Sequence, residues 1–168
     1  MQIRTEEERD WPAVGAVNAA AFETSAEAAL VTSLRQRAAP VVSLVAEDRG
    51  VIVGHILFSP VSLAGHPALK LMGLAPMAVA PGHQRRGIGS ALVRTGLDAC
   101  RALGYGAVVV LGHPGYYPRF GFVPASRFGL RCEYDAPDEA FMLVELEPGC
   151  LQGVAGLISY DPAFQELP

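Results

Sequence analysis

The sequence predicts an α/β (α+β) fold, with a mixed, mostly antiparallel central sheet flanked by helices. Three observations carry that expectation. Two apolar, β-branched runs, Val41 to Glu47 and Val51 to Phe58, stand either side of the tight turn Asp48-Arg49-Gly50, which is a hairpin signal. Leu69 to Val79, Gly87 to Leu103 and Ala107 to Leu111 then alternate strand, helix and strand. A further apolar run, Ala140 to Leu146, follows an irregular stretch. Strands paired locally at first and separated by helices later give a mixed sheet rather than a wholly parallel one.

The elements follow in order. Gln2 to Thr5 reads as a short first strand. Asp10 suits a helix cap, with Pro12 in the first turn and Val14, Val17 and Ala21 on one face. Thr24-Ser25-Ala26-Glu27 has capping-box spacing and opens a second helix, whose apolar face is Leu30, Val31 and Leu34. Pro60 to Pro67 reads as a loop. In the long helix Ile88, Leu92 and Val93 continue to Leu97 and Cys100 or Arg101 at helical spacing, and Gly104-Tyr105-Gly106 ends it. Ala107 to Leu111 is an unbroken run suited to a buried strand. Tyr116 to Phe120 reads as a short helix, and Val154 to Tyr160 as a last strand. The expected organisation is one domain over 1–168, with a core at 1–147 and a C-terminal extension at 148–168.

Composition bounds the function classes. A chain of 168 residues that is 51% hydrophobic can bury a substantial core and is unlike disordered sequences. Charged residues, glycines and prolines interrupt every apolar run, so no membrane span is expected. Met1 to Glu8 has no apolar signal-peptide region, so a cytoplasmic protein is expected. Cys100, Cys132 and Cys150 are odd in number and far apart, which suits reduced structural thiols. His55, His66 and His83 lack metal-ligand spacing, and no metal is expected. A net charge of −4 argues against nucleic acid as a partner. It leaves room for an anionic cofactor, because charge acts locally at a binding loop.

The chemistry is concentrated in Val79-Ala80-Pro81-Gly82-His83-Gln84-Arg85-Arg86-Gly87-Ile88-Gly89-Ser90. An apolar strand runs into a glycine turn, and an amphipathic helix follows at once. The first N–H groups of a helix have no intrahelical partners, and the helix dipole adds partial positive charge beside them. Glycine lets a ligand approach the main chain. The segment is therefore suited to a phosphate or pyrophosphate. It is no P-loop, because Ile88 and Gly89 follow Gly87 where lysine and a hydroxyl residue are needed. It is no dinucleotide fingerprint either, because Leu92 stands where the third glycine belongs.

What remains is Q-x-x-G-x-G, filled by Gln84, Gly87 and Gly89. This resembles the acyl-CoA pyrophosphate loop of the GNAT superfamily of N-acetyltransferases. Pro76-Met77-Ala78-Val79 before it is similar to the same family. So is Val110-Leu111-Gly112-His113-Pro114-Gly115-Tyr116-Tyr117-Pro118-Arg119-Phe120-Gly121-Phe122 after it. The resemblance spans about Val41 to Phe122 and implies the GNAT-like acyl-CoA N-acyltransferase fold. It implies acetyl-CoA as cosubstrate and transfer of acetyl to a primary amine by direct attack. The absence of a serine or cysteine nucleophile motif agrees with that. The acceptor is an unknown amine, on a small molecule or a protein. Many relatives are dimers, so a homodimer is open to this chain.

The resemblance also implies roles. Main-chain N–H groups within Arg85, Arg86, Gly87, Ile88, Gly89 and Ser90 would hold the pyrophosphate, with Gln84 opening the loop. The backbone of Met77, Ala78 and Val79 would pair with the pantetheine arm, and a free N–H near Met77 would be the oxyanion donor. Tyr117 fills the tyrosine of Y-x-x-x-G-F, the position of the general acid, with Tyr116 beside it as a weaker candidate. A phenol pKa of about 10 suits a thiolate of similar basicity. The glutamate that many members carry before the loop is missing, since Leu69 to Val79 holds no acidic residue. The base is therefore open between a water relay, Glu27 with its neighbour Glu23, and His113 just past Ala107 to Leu111. Two alternatives stand beside this reading. One is a non-catalytic acyl-CoA-binding module. The other is an acyltransferase for a longer acyl-CoA.

Overall fold

The computed structural model describes residues 1–167. The N-terminal half holds β1 (Gln2–Thr5), α1 (Trp11–Phe22), α2 (Ala26–Arg37), β2 (Val42–Asp48), β3 (Val51–Leu63) and β4 (Leu71–Val79). It continues with α3 (Ile88–Ala102), β5 (Ala107–Leu111), β6 (Val123–Pro124), β7 (Leu130–Cys132), β8 (Phe141–Glu145) and β9 (Gly156–Ser159). The strand order is β1-β2-β3-β4-β5-β8-β6, and β9 joins the far end of β3 to β7. The β4–β5 and β7–β9 pairs are parallel and the other pairs antiparallel, so the sheet is mixed and mostly antiparallel as expected. β4 and β5 run parallel because α3 forms the crossover between them.

The β4 ladder carries two irregularities that matter for the site. On one side β4 pairs with β5 only from Leu71 to Gly73, opposite Ala107 to Val109, and beyond that the two strands part. On the other side Ile56 faces Met77 but Phe58 faces Leu74. Leu57 alone therefore spans Ala75 and Pro76, which is a bulge in β4. A bulge leaves a residue unpaired and re-aims the backbone next to it.

Side chains alternate about the sheet, and a core lies on each face. Leu57 and Leu71 pack with Val14, Leu30 and Leu34 of α1 and α2. Ile56 and Phe58 pack on the other face with Leu92, Val93 and Leu97 of α3. A Cβ added at Gly96 would lie 2.1 Å from the Phe58 ring, so this glycine lets α3 lie flush on β3. That contact fixes where the start of α3 meets the end of β4.

A polar row is buried between α1 and the sheet. His55 on β3 is wholly buried. The Asn18 Nδ2 group donates to Val14 O at 3.0 Å and to His55 Nδ1 at 3.1 Å. His55 Nε2 therefore carries the proton and donates to Ser43 Oγ at 2.9 Å. Burial, then the nearby charge of Arg35, pushes the His55 pKa down to about 3, so the ring is neutral.

Several boundaries depart from the sequence reading. Pro60 to Leu63 is not loop but the end of β3, because Leu71 to Gly73 of β4 and Ile158 to Ser159 of β9 supply pairing partners from far along the chain. Asp10 does stand before α1, but its carboxylate does not cap the helix. It accepts from Arg4 at 2.7 and 3.0 Å and from the Glu7 N–H at 2.8 Å. Thr24, not the N-cap Ser25, makes the capping contacts of α2, accepting from Ala26 N–H and donating to Glu27 Oε1. β6 and β7 are two and three residues long, too short to show a period in the sequence.

Candidate active site

The glycine loop and the start of α3 line an open cavity of about 580 Å³. Val79 ends β4, the Gln84 Nε2 group donates back to Val79 O at 3.1 Å, and this bond closes the loop on the strand. Gly87 stands at the N-cap with φ +81°, a left-handed conformation that a Cβ would strain. The helix then opens at Ile88 with no side-chain cap, so its first N–H groups are left for a ligand. A Cβ at Gly89 would come within 3.2 Å of the Tyr116 hydroxyl and 3.6 Å of Met77 Cε, so this floor admits only glycine without displacement.

The structure brings Met77, Ala78, Val79, Gln84, Arg85, Gly87, Ile88, Gly89 and Ser90 to one wall. Arg86 is exposed and lies outside it. Among the described residues the wall carries Arg85, Arg119 and His83 and no carboxylate. With the dipole of α3, that makes the field in the cavity favourable to an anion. Met77 directly follows the β4 bulge, and the β5-facing edge of β4 is unpaired from Leu74 onward. That open edge suits an extended arm that bonds main chain to main chain.

Tyr116 and Tyr117 part company. Tyr116 is in the cavity wall, and its hydroxyl lies 3.0 Å from Ser90 Oγ. Arg119 covers the Tyr116 ring at 4.4 Å, and its Nε donates to Tyr116 O at 2.8 Å. Tyr117 lies behind that wall and is 7% exposed. Its ring fills the space over Gly112, where a Cβ would lie 2.3 Å away, and meets the Phe122 ring edge-on at 5.6 Å. Burial first, and then Tyr116, pushes the Tyr117 pKa up to about 12. The phenol therefore keeps its proton throughout the neutral range.

None of the base candidates Glu23, Glu27 and His113 stands in the cavity wall. Glu27 accepts from Thr24 Oγ1 at 3.0 Å at the start of α2. Glu23 is exposed at the end of α1 with φ +59°. His113 is exposed in the turn after β5, where its carbonyl accepts from the N–H groups of Tyr116 and Tyr117. Among the described residues no three His, Cys, Asp or Glu stand together as metal ligands, and no helix is long and apolar enough to cross a membrane.

The cavity also holds residues that the sequence reading did not pick out. His83 lines it with Nδ1 buried and without a hydrogen-bond partner among the described residues. Arg119 lines it from the turn Tyr117–Phe120, and Ala21 and Phe22 close it from the end of α1. The spacing of Arg119 from Tyr116, one turn apart in Y-Y-P-R, was the available signal for Arg119. Nothing local marks Ala21 and Phe22.

A family model described as an acetyltransferase (GNAT) domain matches residues 2–125. The chain belongs to the GNAT acetyltransferase family. Within that family it is 40% identical over 165 residues to YhbS of Escherichia coli (strain K12), an uncharacterised N-acetyltransferase, covering 98% of each chain. It is 45% identical over 127 residues to another uncharacterised N-acetyltransferase of that strain, YjhQ, covering 73% of this chain and 70% of YjhQ. The crystal structure of E. coli YhbS in complex with CoA superposes with TM-score 0.92 at 39% identity, over 98% of this chain and 91% of that one. A GNAT family acetyltransferase from Brucella melitensis in complex with acetyl-CoA superposes with TM-score 0.79 at 35% identity, over 97% of both chains. The GNAT fold is thus the fold of this chain.

Proposed function

We propose that this chain moves the acetyl group of acetyl-CoA directly to a primary amine. The observation that carries the reading is the loop cavity: an uncapped helix start, a floor tight about Gly89 and, among the described residues, a carboxylate-free wall beside an open strand edge. Relatives similar over nearly their whole length were seen with CoA and with acetyl-CoA. Acetyl-CoA supplies the activated acyl group as a thioester. The main chain of Arg85 to Ser90 binds the pyrophosphate, with Arg85, Arg119 and His83 adding positive charge or donors. Met77, Ala78 and Val79 pair with the pantetheine arm. The Met77 N–H, re-aimed by the bulge, donates to the carbonyl oxygen as negative charge develops there.

A C–N bond forms and the C–S bond breaks. The amine nitrogen loses a proton and the sulfur gains one. Tyr117, protonated throughout the neutral range, gives its proton to the sulfur from behind the cavity wall. Tyr116 positions the start of α3 through Ser90. Among the described residues no carboxylate lines the cavity, and neither Glu27 nor His113 does, so the amine proton leaves through water. The test is a pair of measurements. Acetyl-CoA raises the melting temperature, because a ligand selective for the folded state stabilises it, and an amine then releases free thiol. A temperature rise without thiol release identifies a binding module instead. Equal turnover of butyryl-CoA and acetyl-CoA moves the reading to a longer acyl group.

A further inference from the structure

A second cavity meets β4 just where it leaves β5. It has a volume of about 300 Å³ and is lined by Leu74, Ala75, Leu111, Tyr134, Tyr160 and Phe164, among others. That lies at the small end of the range for small-molecule sites, about 300–1,000 Å³. Leu74 and Ala75 come directly after the last β4–β5 pair, and Leu111 ends β5. The floor comes from the C-terminal part of the chain. The Tyr160 ring lies on Gly73, where a Cβ would stand 2.9 Å from it. Tyr160 meets Phe164 edge-on at 5.1 Å, and the Tyr134 ring lies tilted to it at 5.9 Å.

Two facts single this cavity out. The first is its position. Ala75 and Met77 are two residues apart, roughly 7 Å along a strand. The second cavity thus lies beside the segment proposed to present the thioester. The second fact is chemical. Tyr160 is 7% exposed, and its hydroxyl and that of Tyr134 are buried with no hydrogen-bond partner among the described residues. Buried hydroxyls are rarely left so, and at a cavity wall a ligand is the natural partner.

We propose that this cavity takes the acceptor, and that the acceptor is a primary amine on an uncharged aromatic or branched apolar body. The inference rests on the acetyl-transfer reading above. The amine nitrogen bonds the phenol oxygens of Tyr134 and Tyr160 while its body packs on Leu74, Leu111 and Phe164. Aromatic rings favour edge-to-face packing of this kind. Among the described residues no charged side chain lines the cavity. A free amino acid would therefore bury its carboxylate unpaired, and a polyamine its second ammonium. Both are costly in an apolar site.

The test uses phenethylamine, L-phenylalanine and spermidine. The first two share a ring and differ by a carboxylate. Phenethylamine is titrated calorimetrically into the CoA-loaded protein, and thiol release from acetyl-CoA is followed with all three. Phenethylamine binds, and its kcat/KM exceeds those of the others by about 10²-fold or more, the scale set by unmatched polar groups in a pocket. Leu111→Trp fills the cavity from a strand end that is 37% exposed, so the fold tolerates it. In that variant phenethylamine binding is lost while the melting rise with acetyl-CoA persists. Tyr160→Phe, which keeps the ring, raises KM for the amine more than it lowers kcat. Absence of phenethylamine binding overturns the proposal, as does equal turnover of phenylalanine or spermidine, which leaves acetyl transfer standing. Binding of phenethylamine without thiol release from any amine overturns acetyl transfer and leaves the amine cavity standing.

Discussion

The cavity at the start of α3 and the cavity floored by Tyr134 and Tyr160 meet the same strand and are built in opposite ways. The first is made of main chain: a glycine loop, uncapped N–H groups and an open strand edge, with Arg85, Arg119 and His83 around them. The second is made of uncharged side chains drawn from β4, β5 and three C-terminal segments. Main-chain sites depend on a fixed local spacing of glycines. Side-chain sites depend on which distant segments the fold happens to bring together. One surface can thus stay constant for a shared cosubstrate while the other is rebuilt for a different acceptor.

The largest expected effect tests whether Tyr117 does chemistry. Tyr117→Phe keeps the packing over Gly112 and lowers kcat by roughly 10²- to 10⁴-fold, the usual worth of a positioned acid. Acetyl-CoA affinity stays unchanged. Near-full turnover in that variant would give the proton to water or to Tyr116. Next comes the main-chain cavity. Gly89→Glu drives a carboxylate toward the Tyr116 hydroxyl and the proposed pyrophosphate site, and like-charge contact at an interface costs several kcal/mol. Acetyl-CoA affinity should fall by about 10²-fold or more, read as loss of the melting rise. Unchanged affinity in the folded variant would sink the loop assignment. Tyr116→Phe should be milder, weakening acetyl-CoA binding by less than tenfold, the scale of one hydrogen bond.

Acid and alkali sharpen the contrast further. At subsaturating amine the rate should climb with pH until the amine is neutral. It should not fall by pH 10, since Tyr117 ionises near 12. An alkaline fall below pH 9 would point to another acid. Stability should respond on the acid side, through neither cavity. His55 is neutral in the fold down to about pH 3 and in the unfolded chain protonates near 6.5. Its contribution is whole above pH 6.5 and declines as pH falls through that window, because the unfolded chain binds the extra proton. The slope is at most about 1.4 kcal/mol per pH unit. Urea unfolding across pH 4 to 7 checks this: His55→Gln should be less stable overall but flatter with pH. An equal slope in both would assign the acid sensitivity elsewhere.

The parts of the fold that were legible in the sequence were those with a local period. The hairpin about Asp48-Arg49-Gly50, the face of α3 from Ile88 to Cys100 and the run Ala107 to Leu111 all came out as elements near their expected bounds. The end of β3 did not, since Pro60 to Leu63 is ordered by β4 and β9 rather than by its own residues. The Q-x-x-G-x-G loop was legible because its chemistry needs glycine at fixed positions. His83 was not, and Arg119 was marked only by its spacing from Tyr116, because their place in the wall depends on how two turns approach each other. The Tyr134 and Tyr160 cavity had no signal at all. The hydroxyls stand 26 residues apart in sequence, in segments without periodicity, and only β7 pairing with β9 brings them together.

A single-turnover experiment tests direct transfer most directly. The protein is loaded with acetyl-CoA, mixed with an amine, and free thiol and N-acetyl amide are counted against time. Direct attack predicts that both products rise together in equal amounts, with no thiol released before the amine is added. Thiol released without amine would reveal an acetylated protein intermediate. Bound acetyl-CoA that yields neither product with any amine would make this chain a binding module. Either result would contradict the account.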